Sequence, residues 1–245
     1  MTAGRPAWTG SVRDGFADWV RRFAADARTR AVHGDPDWTV GAALSPALVC
    51  SIQRFQVGES GDGTSLISKA ERAEDSDYLE AVRFFVAEEQ NHARLLGRLL
   101  ASAGAPTLAA HWSDTAFVRL RRALGLRLEL MTLTVAEVVA LTYYQALKDG
   151  TDDPLLIEVA GRILADEQRH MPFHIQRLRA AFVDESRPPG RLVARLAWWM
   201  VLLGATAVVV LDHGAAVSEL GIPRIRFYGE VCRTFGGVAH SVLDP

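Results

Sequence analysis

The sequence predicts an all-α protein: a four-helix bundle with one long crossover, carrying extra helices at both ends. Three observations predict it. Long stretches place apolar residues three and four positions apart, and short alternating runs joined by Asn-Gly or Asp-Gly turns are missing from the sequence. In addition, Ser45-Pro46 and Asp153-Pro154 each join a capping side chain to a proline suited to the first turn of a helix.

In order, Val12 to Arg28 reads as an amphipathic helix with Phe16, Val20 and Phe23 on one side. From Ser45-Pro46 a helix runs through Leu48, Ile52 and Phe55 toward Ala73, with a bulge or close approach expected near Glu59, where Gly58, Gly61 and Gly63 crowd the pattern. A turn at Glu74 to Asp77 leads to a helix from about Tyr78 to Leu100, which Ala103-Gly104-Ala105-Pro106 closes. Ser113 or Asp114 caps a long helix toward Lys148, with Gly125 as a point of interruption. Asp149 to Asp152 turns the chain, and Asp153-Pro154 opens a helix to about Val183 that Pro188-Pro189-Gly190 ends. An apolar helix over 191–217, a break at Gly221-Ile222-Pro223 and a short C-terminal helix complete the chain. The organisation is one domain over 1–245: an N-terminal helix and linker (1–44), a four-helix core (45–184) and C-terminal helices (191–245).

Composition sets limits on function. The chain has 245 residues, 49% of them hydrophobic, enough for one sizeable core. Its 27 basic and 29 acidic residues leave a formal charge of −2, so no overall basic field favours a nucleic-acid backbone. Two cysteines, Cys50 and Cys232, exclude a four-cysteine metal module within the chain and give no disulfide framework. Met1 to Gly10 lacks the pattern of a signal peptide, and a cytoplasmic location is expected. The longest uncharged apolar run, Leu196 to Leu211, has sixteen residues, short of the ~20 that a spanning helix needs. It reads first as a buried helix and second as a membrane contact.

The chemistry lies in a repeated spacing. Of seven histidines, two have glutamate three positions earlier: Glu89-Gln90-Asn91-His92 and Glu167-Gln168-Arg169-His170. Three residues apart on a helix, a carboxylate and an imidazole share a face and can reach one metal ion. Thirty residues before Glu89 stands Glu59, and thirty before Glu167 stands Glu137, so the two triplets are related by an offset of 78. Antiparallel helices bring two residues level when the turn lies midway between them. The midpoints, 74 and 152, fall in the turns already placed, which puts each ligand roughly 22 Å along its helix, at mid-bundle. Four carboxylates and two imidazoles, with no thiolate, suit two iron or manganese ions better than structural zinc. A surface role fails most clearly for Glu137, the one charge between Glu129 and Lys148.

The pattern of Glu followed by Glu-x-x-His, twice over, resembles the ferritin-like diiron-carboxylate superfamily across residues 46–183. Asp166-Glu167-Gln168-Arg169-His170 is similar to the version found in bacterial multicomponent monooxygenases and soluble acyl-carrier desaturases, whereas Glu88-Glu89-Gln90-Asn91-His92 has Asn in place of the usual Arg. The resemblance implies Glu59, Glu89, His92, Glu137, Glu167 and His170 as ligands of two Fe ions, with Mn/Fe as the alternative. Glu88 and Asp166 would then orient the metal-bound histidines. His174, four residues after His170 and beyond Pro172, stands beside the site, and Tyr144, two turns after Glu137, is the candidate for a redox-active side chain.

The implied activity is that of an O2-dependent oxidase or oxygenase on a small or hydrophobic substrate, served by an external electron donor because no electron-transfer module is encoded within these residues. A ferritin- or rubrerythrin-like protein that handles iron or scavenges peroxide is the alternative, and a metal-free bundle is a third. Small-molecule substrate and O2 are the expected partners, nucleic acid is not, and a homodimer or peripheral membrane contact through 196–211 is compatible with the sequence.

Overall fold

The computed structural model describes residues 15–122, 125–182 and 188–244, and among these every regular element is a helix. They are α1 (Phe16–His33), a short 3-10 turn (Trp38–Val40), α2 (Pro46–Glu59), α3 (Thr64–Glu71), α4 (Ser76–Ser102), α5 (Trp112–Arg122), α6 (Leu126–Gly150), α7 (Pro154–Phe182), α8 (Pro188–Glu219) and α9 (Arg224–Leu243). The expected start of the first helix at Val12, the tip Met1 to Gly10 and Val183 lie outside the described residues.

Local chemistry starts the helices where the sequence places the signals. Ser45 Oγ accepts from the Leu48 amide at 3.1 Å, with Pro46 opening α2. Asp75 accepts from Tyr78 at 2.9 Å to cap α4, and Asp153 accepts from Leu156 at 2.8 Å ahead of Pro154 in α7. The second oxygen of Asp153 takes the Ala43 amide at 2.7 Å, tying this turn to the linker before α2. Gly104, with φ of 71°, ends α4 in the left-handed region that glycine enters without steric cost.

The core is one continuous cluster of buried side chains. α6 and α7 pack along each other as a hairpin, α2 lies on α4, and α4 meets α7 to close the two pairs around a shared interior. α1 covers α4, while α8 and α9 pack together against α6 and α7. Phe23, Phe85 and Phe173 meet at one end of the interior, with Phe23 and Phe173 edge to face at 5.5 Å. The connection from α4 to α6 carries α5.

Five details differ from the sequence expectation. The helix opened by Ser45-Pro46 stops at Glu59 and resumes as α3, because Gly63 adopts φ of 66° and the chain breaks over 60–63. The helix expected from 113 or 114 to 148 is two helices, α5 and α6, the second beginning after Gly125. α1 continues past Arg28 to His33, one turn longer than the apolar pattern indicates. The apolar segment Leu196 to Leu211 is not a buried helix: it belongs to α8, whose most apolar window has only 17% of its residues buried, whereas the other long apolar helix, α6, has 83%. Pro188, Pro189 and Gly190 form the first turn of α8 rather than a stop after α7.

Candidate metal centre

Each of the four interior helices contributes to one buried cluster. Glu59 is the last residue of α2, Glu89 and His92 lie on α4, Glu137 on α6, and Glu167 and His170 on α7. The i, i+3 spacing on α4 and α7 turns carboxylate and imidazole to the same side. The break after Glu59 ends α2 at the level of the cluster, so this carboxylate arrives from a helix terminus and not from mid-helix.

The ligand atoms fall into two groups, each with its atoms within 4.8 Å of one another: Glu59, Glu89, His92 and Glu167; and Glu89, Glu137, Glu167 and His170. Glu89 and Glu167 belong to both. Glu89 Oε1 is 3.5 Å from His92 Nδ1 and 3.3 Å from His170 Nδ1. Glu167 turns one oxygen to each imidazole, Oε1 at 3.3 Å from His92 and Oε2 at 3.6 Å from His170. Glu137 Oε2 lies 3.4 Å from His170 Nδ1, and Glu59 Oε2 4.0 Å from His92 Nδ1. Donor atoms bound to one ion sit roughly 3–4 Å apart, so these spacings are those of side chains around a cation.

Hydrogen bonding tests the fit. His92 Nδ1, His170 Nδ1, Glu89 Oε1, Glu137 Oε2 and Glu167 Oε2 are buried without a hydrogen-bond partner, and all five point into the cluster. Unsatisfied polar atoms in an interior are costly, and five converging on one volume fit a bound metal. The outward faces of the same imidazoles are satisfied. His92 Nε2 donates to Asp166 at 3.1 Å and His170 Nε2 donates to Glu88 at 2.9 Å. Each contact crosses between α4 and α7, and each leaves Nδ1 turned toward the centre.

The charges inside the cluster push against one another. Burial, followed by the charges of Glu59, Glu137 and Glu167, holds the Glu89 carboxyl well above its usual range. Burial and then Glu137 push Glu167 up to about 8. Burial opposes the charged form of His92, but the hydrogen bonds to Asp166 and Glu167 outweigh it and raise its pKa to about 10; His170 is raised as well, against burial, by Glu137, Glu167 and Glu88. Glu137 is held low although burial acts against it, because His170 and His174 face it. Four carboxylates against two imidazoles leave a surplus of negative charge that cations would neutralise, releasing protons.

The remaining predicted residues stand close by. Tyr144 Oη donates to Glu59 Oε1 at 2.7 Å, which fixes the carboxylate that the helix break delivers. His174 Nε2 is 3.7 Å from Glu137 Oε1, in an α7 that continues through Pro172. Glu88 and Asp166 are both buried behind the histidines.

Sequence reasoning missed Arg30. It lies in the added turn of α1, its Nη1 2.5 Å from Glu88 and 3.5 Å from Asp166, and so supplies one positive charge to both orienting carboxylates. Asp166 also pairs with Arg169 three residues on, and Arg169 reaches Asp26 of α1 at 3.0 Å. In the other half Asn91 replaces that arginine and accepts from Arg94, which is bound through both Nη atoms to Asp35 at 2.7 Å. Glu88 therefore takes its cation from α1. No periodicity marks such a contact; the mismatch at Asn91 was the one available signal. A second network also went unnoticed: Ser51 Oγ lies 2.7 Å from Tyr143 Oη and 2.8 Å from His213 Nδ1, with Phe55 stacked on Tyr143 at 3.7 Å. His213 is buried, and burial, Arg54 and His111 lower its pKa to about 3.

Fold and site together define an all-helical protein with a buried Glu/His cluster that could hold a metal ion. Compared with protein-family models, curated proteins and solved structures, the chain matches none of them.

Proposed function

We propose that the chain is a dimetal-carboxylate oxidoreductase built on a ferritin-like four-helix arrangement of α2, α4, α6 and α7, holding two iron ions and using dioxygen on a small or hydrophobic substrate. One observation carries the reading: two groups of potential metal-ligating atoms share Glu89 and Glu167 in the helical interior, with the unpartnered Nδ1 atoms of both histidines directed inward. Carboxylate and imidazole without thiolate favour iron or manganese. When bound, the ion pair would supply dioxygen activation and redox capacity.

The chain's own part is positional. Glu59, Glu89, His92 and Glu167 would hold one ion, and Glu89, Glu137, Glu167 and His170 the other. Asp166 and Glu88 would hold the imidazoles with Nδ1 toward the ions once those nitrogens lose their protons, and Tyr144 holds Glu59. The packed phenylalanines at one end of the interior exclude water from the histidine side. Electrons would come from a separate donor.

The test is metal analysis of protein expressed in iron-replete medium, with the optical spectrum of the reduced protein followed after mixing with dioxygen. About two iron ions per chain and a spectral change in wild type, both lost in Glu137→Ala and His170→Ala, support the proposal. Full metal content in both variants overturns the ligand assignment. Metal binding without any response to dioxygen overturns the activity.

A further inference from the structure

From Leu192 to Leu211, α8 presents an uncharged face to solvent, and beyond it Gly214 is buried against Arg224. Leu192, Val193, Leu196, Met200, Leu203 and Leu211 are each exposed, from 36% at Leu203 to 77% at Leu211. Their three- and four-residue spacing puts them on one side of the helix, and Gly204 and Ala207 on the same side are exposed as well. Arg195 and Asp212 are the charges nearest this run, and both lie off the stripe. The opposite side of α8 is occupied: Trp198 and Leu202 are buried, with Trp198 edge to face against Phe235 of α9 at 5.0 Å. The stripe is thus surplus to the fold of the single chain.

We infer that this face of α8 is a homodimer interface in which two copies pack their α8 helices antiparallel, crossing near Leu203 and Gly204. Area is the first argument. The six large side chains alone expose on the order of 700 Å², close to the ~800 Å² per partner that a stable interface buries and above what a monomer ordinarily leaves open. Shape is the second. With Leu203 opposite Gly204 of the other copy, Met200 meets Ala207, Leu196 meets Leu211 and Leu192 meets Ala215, so large residues mostly face small ones. Charge is the third. Arg191 and Arg195 stand at one end of α8, Asp212 and Glu219 at the other. Antiparallel packing puts unlike ends together. Arg195 and Glu219 already have partners within the chain, Asp244 and Ser45, so the ends would set orientation through their fields rather than through new ion pairs. A lipid surface fits less well, because its anionic headgroups would oppose the acidic end.

Sedimentation equilibrium of the full chain over a range of concentrations tests this, with Met200→Glu and Leu211→Glu as variants. Both side chains are largely exposed, so circular dichroism and thermal midpoint should match wild type. The expected result is a dimer whose dissociation constant rises about 100-fold or more in each variant. With Cys50 and Cys232 replaced by serine, mixing Leu196→Cys and Leu211→Cys chains should give oxidised cross-links between the two and few within either alone. A wild-type monomer at tens of micromolar, a dimer untouched by both charges, or cross-links joining 196 to 196 would each overturn the proposal. Monomer that sediments with phosphatidylcholine/phosphatidylserine vesicles, and loses this in the same variants, would assign the face to lipid instead.

Discussion

Arg30 reaches Glu88 at 2.5 Å, and Glu88 in turn receives the Nε2 proton of His170 at 2.9 Å. A cation on the outermost helix is thereby linked through two contacts to an imidazole at the centre of the interior. Removing it leaves Glu88 buried without its counter-ion. Arg30→Ala should weaken metal binding by about 10–100-fold, measured by competition with a chelator, and Arg30→Lys should recover part of the loss by restoring charge without the planar guanidinium. Unchanged affinity in Arg30→Ala would mean that Glu88 orients His170 without help.

Asp166→Asn tests the other half. An amide can still face His92 Nε2 but brings no negative charge and can present its NH2 instead, so the inward nitrogen is no longer held as an acceptor. A loss of about 10–100-fold in metal affinity is expected, with the thermal midpoint of the metal-free protein moving much less.

Tyr144→Phe deletes the hydroxyl that donates to Glu59 at 2.7 Å. Since Glu59 belongs to only one of the two groups, titration calorimetry should show one of two metal-binding events weakened by about tenfold and the other nearly unaffected. Equal weakening of both would show that the two positions respond together to a change at Glu59.

Gly63 is the hinge of the break that ends α2. Its φ is 66°, and a Cβ there would lie 2.4 Å from a methyl of Val86. Gly63→Ala should lower unfolding free energy by about 1–3 kcal/mol in urea, through the left-handed backbone together with that clash. No change would mean the segment 60–63 rearranges freely.

His213 gives a pH dependence. Its folded pKa, about 3, lies below the ordinary 6.5, so the unfolded chain binds more protons between these values. Its contribution to stability is complete above pH 6.5 and is lost as pH falls toward 3. The midpoint of wild type should therefore fall more steeply than that of His213→Gln between pH 7 and pH 5 in thermal melts. Parallel curves would show that His213 does not titrate in this range.

Much of the site could be read from the chain because helical geometry converts spacing into position. Glu89 with His92, and Glu167 with His170, needed only the i, i+3 rule, and the thirty-residue intervals needed only a turn midway. Ser45 and Asp153 marked helix starts because capping is a local hydrogen bond, whereas Asp75 was legible only as part of a turn. What stayed hidden was set by distant contacts or by backbone. Arg30 is recognisable only once α1 lies on α4, and the exact end of α2 rests on the φ of Gly63. Leu196 to Leu211 misled because an apolar helix looks the same in sequence whether its surface meets the core or solvent.

Glu89 and Glu167 each serve both groups, and this joint ownership has a thermodynamic consequence for the proposed centre. A first ion would draw on two carboxylates that its neighbour also needs and neutralise part of their charge, so the second should enter less readily than the first. Chains carrying a single ion would then prevail early in loading, and a limited supply of iron would be spread over many half-filled molecules.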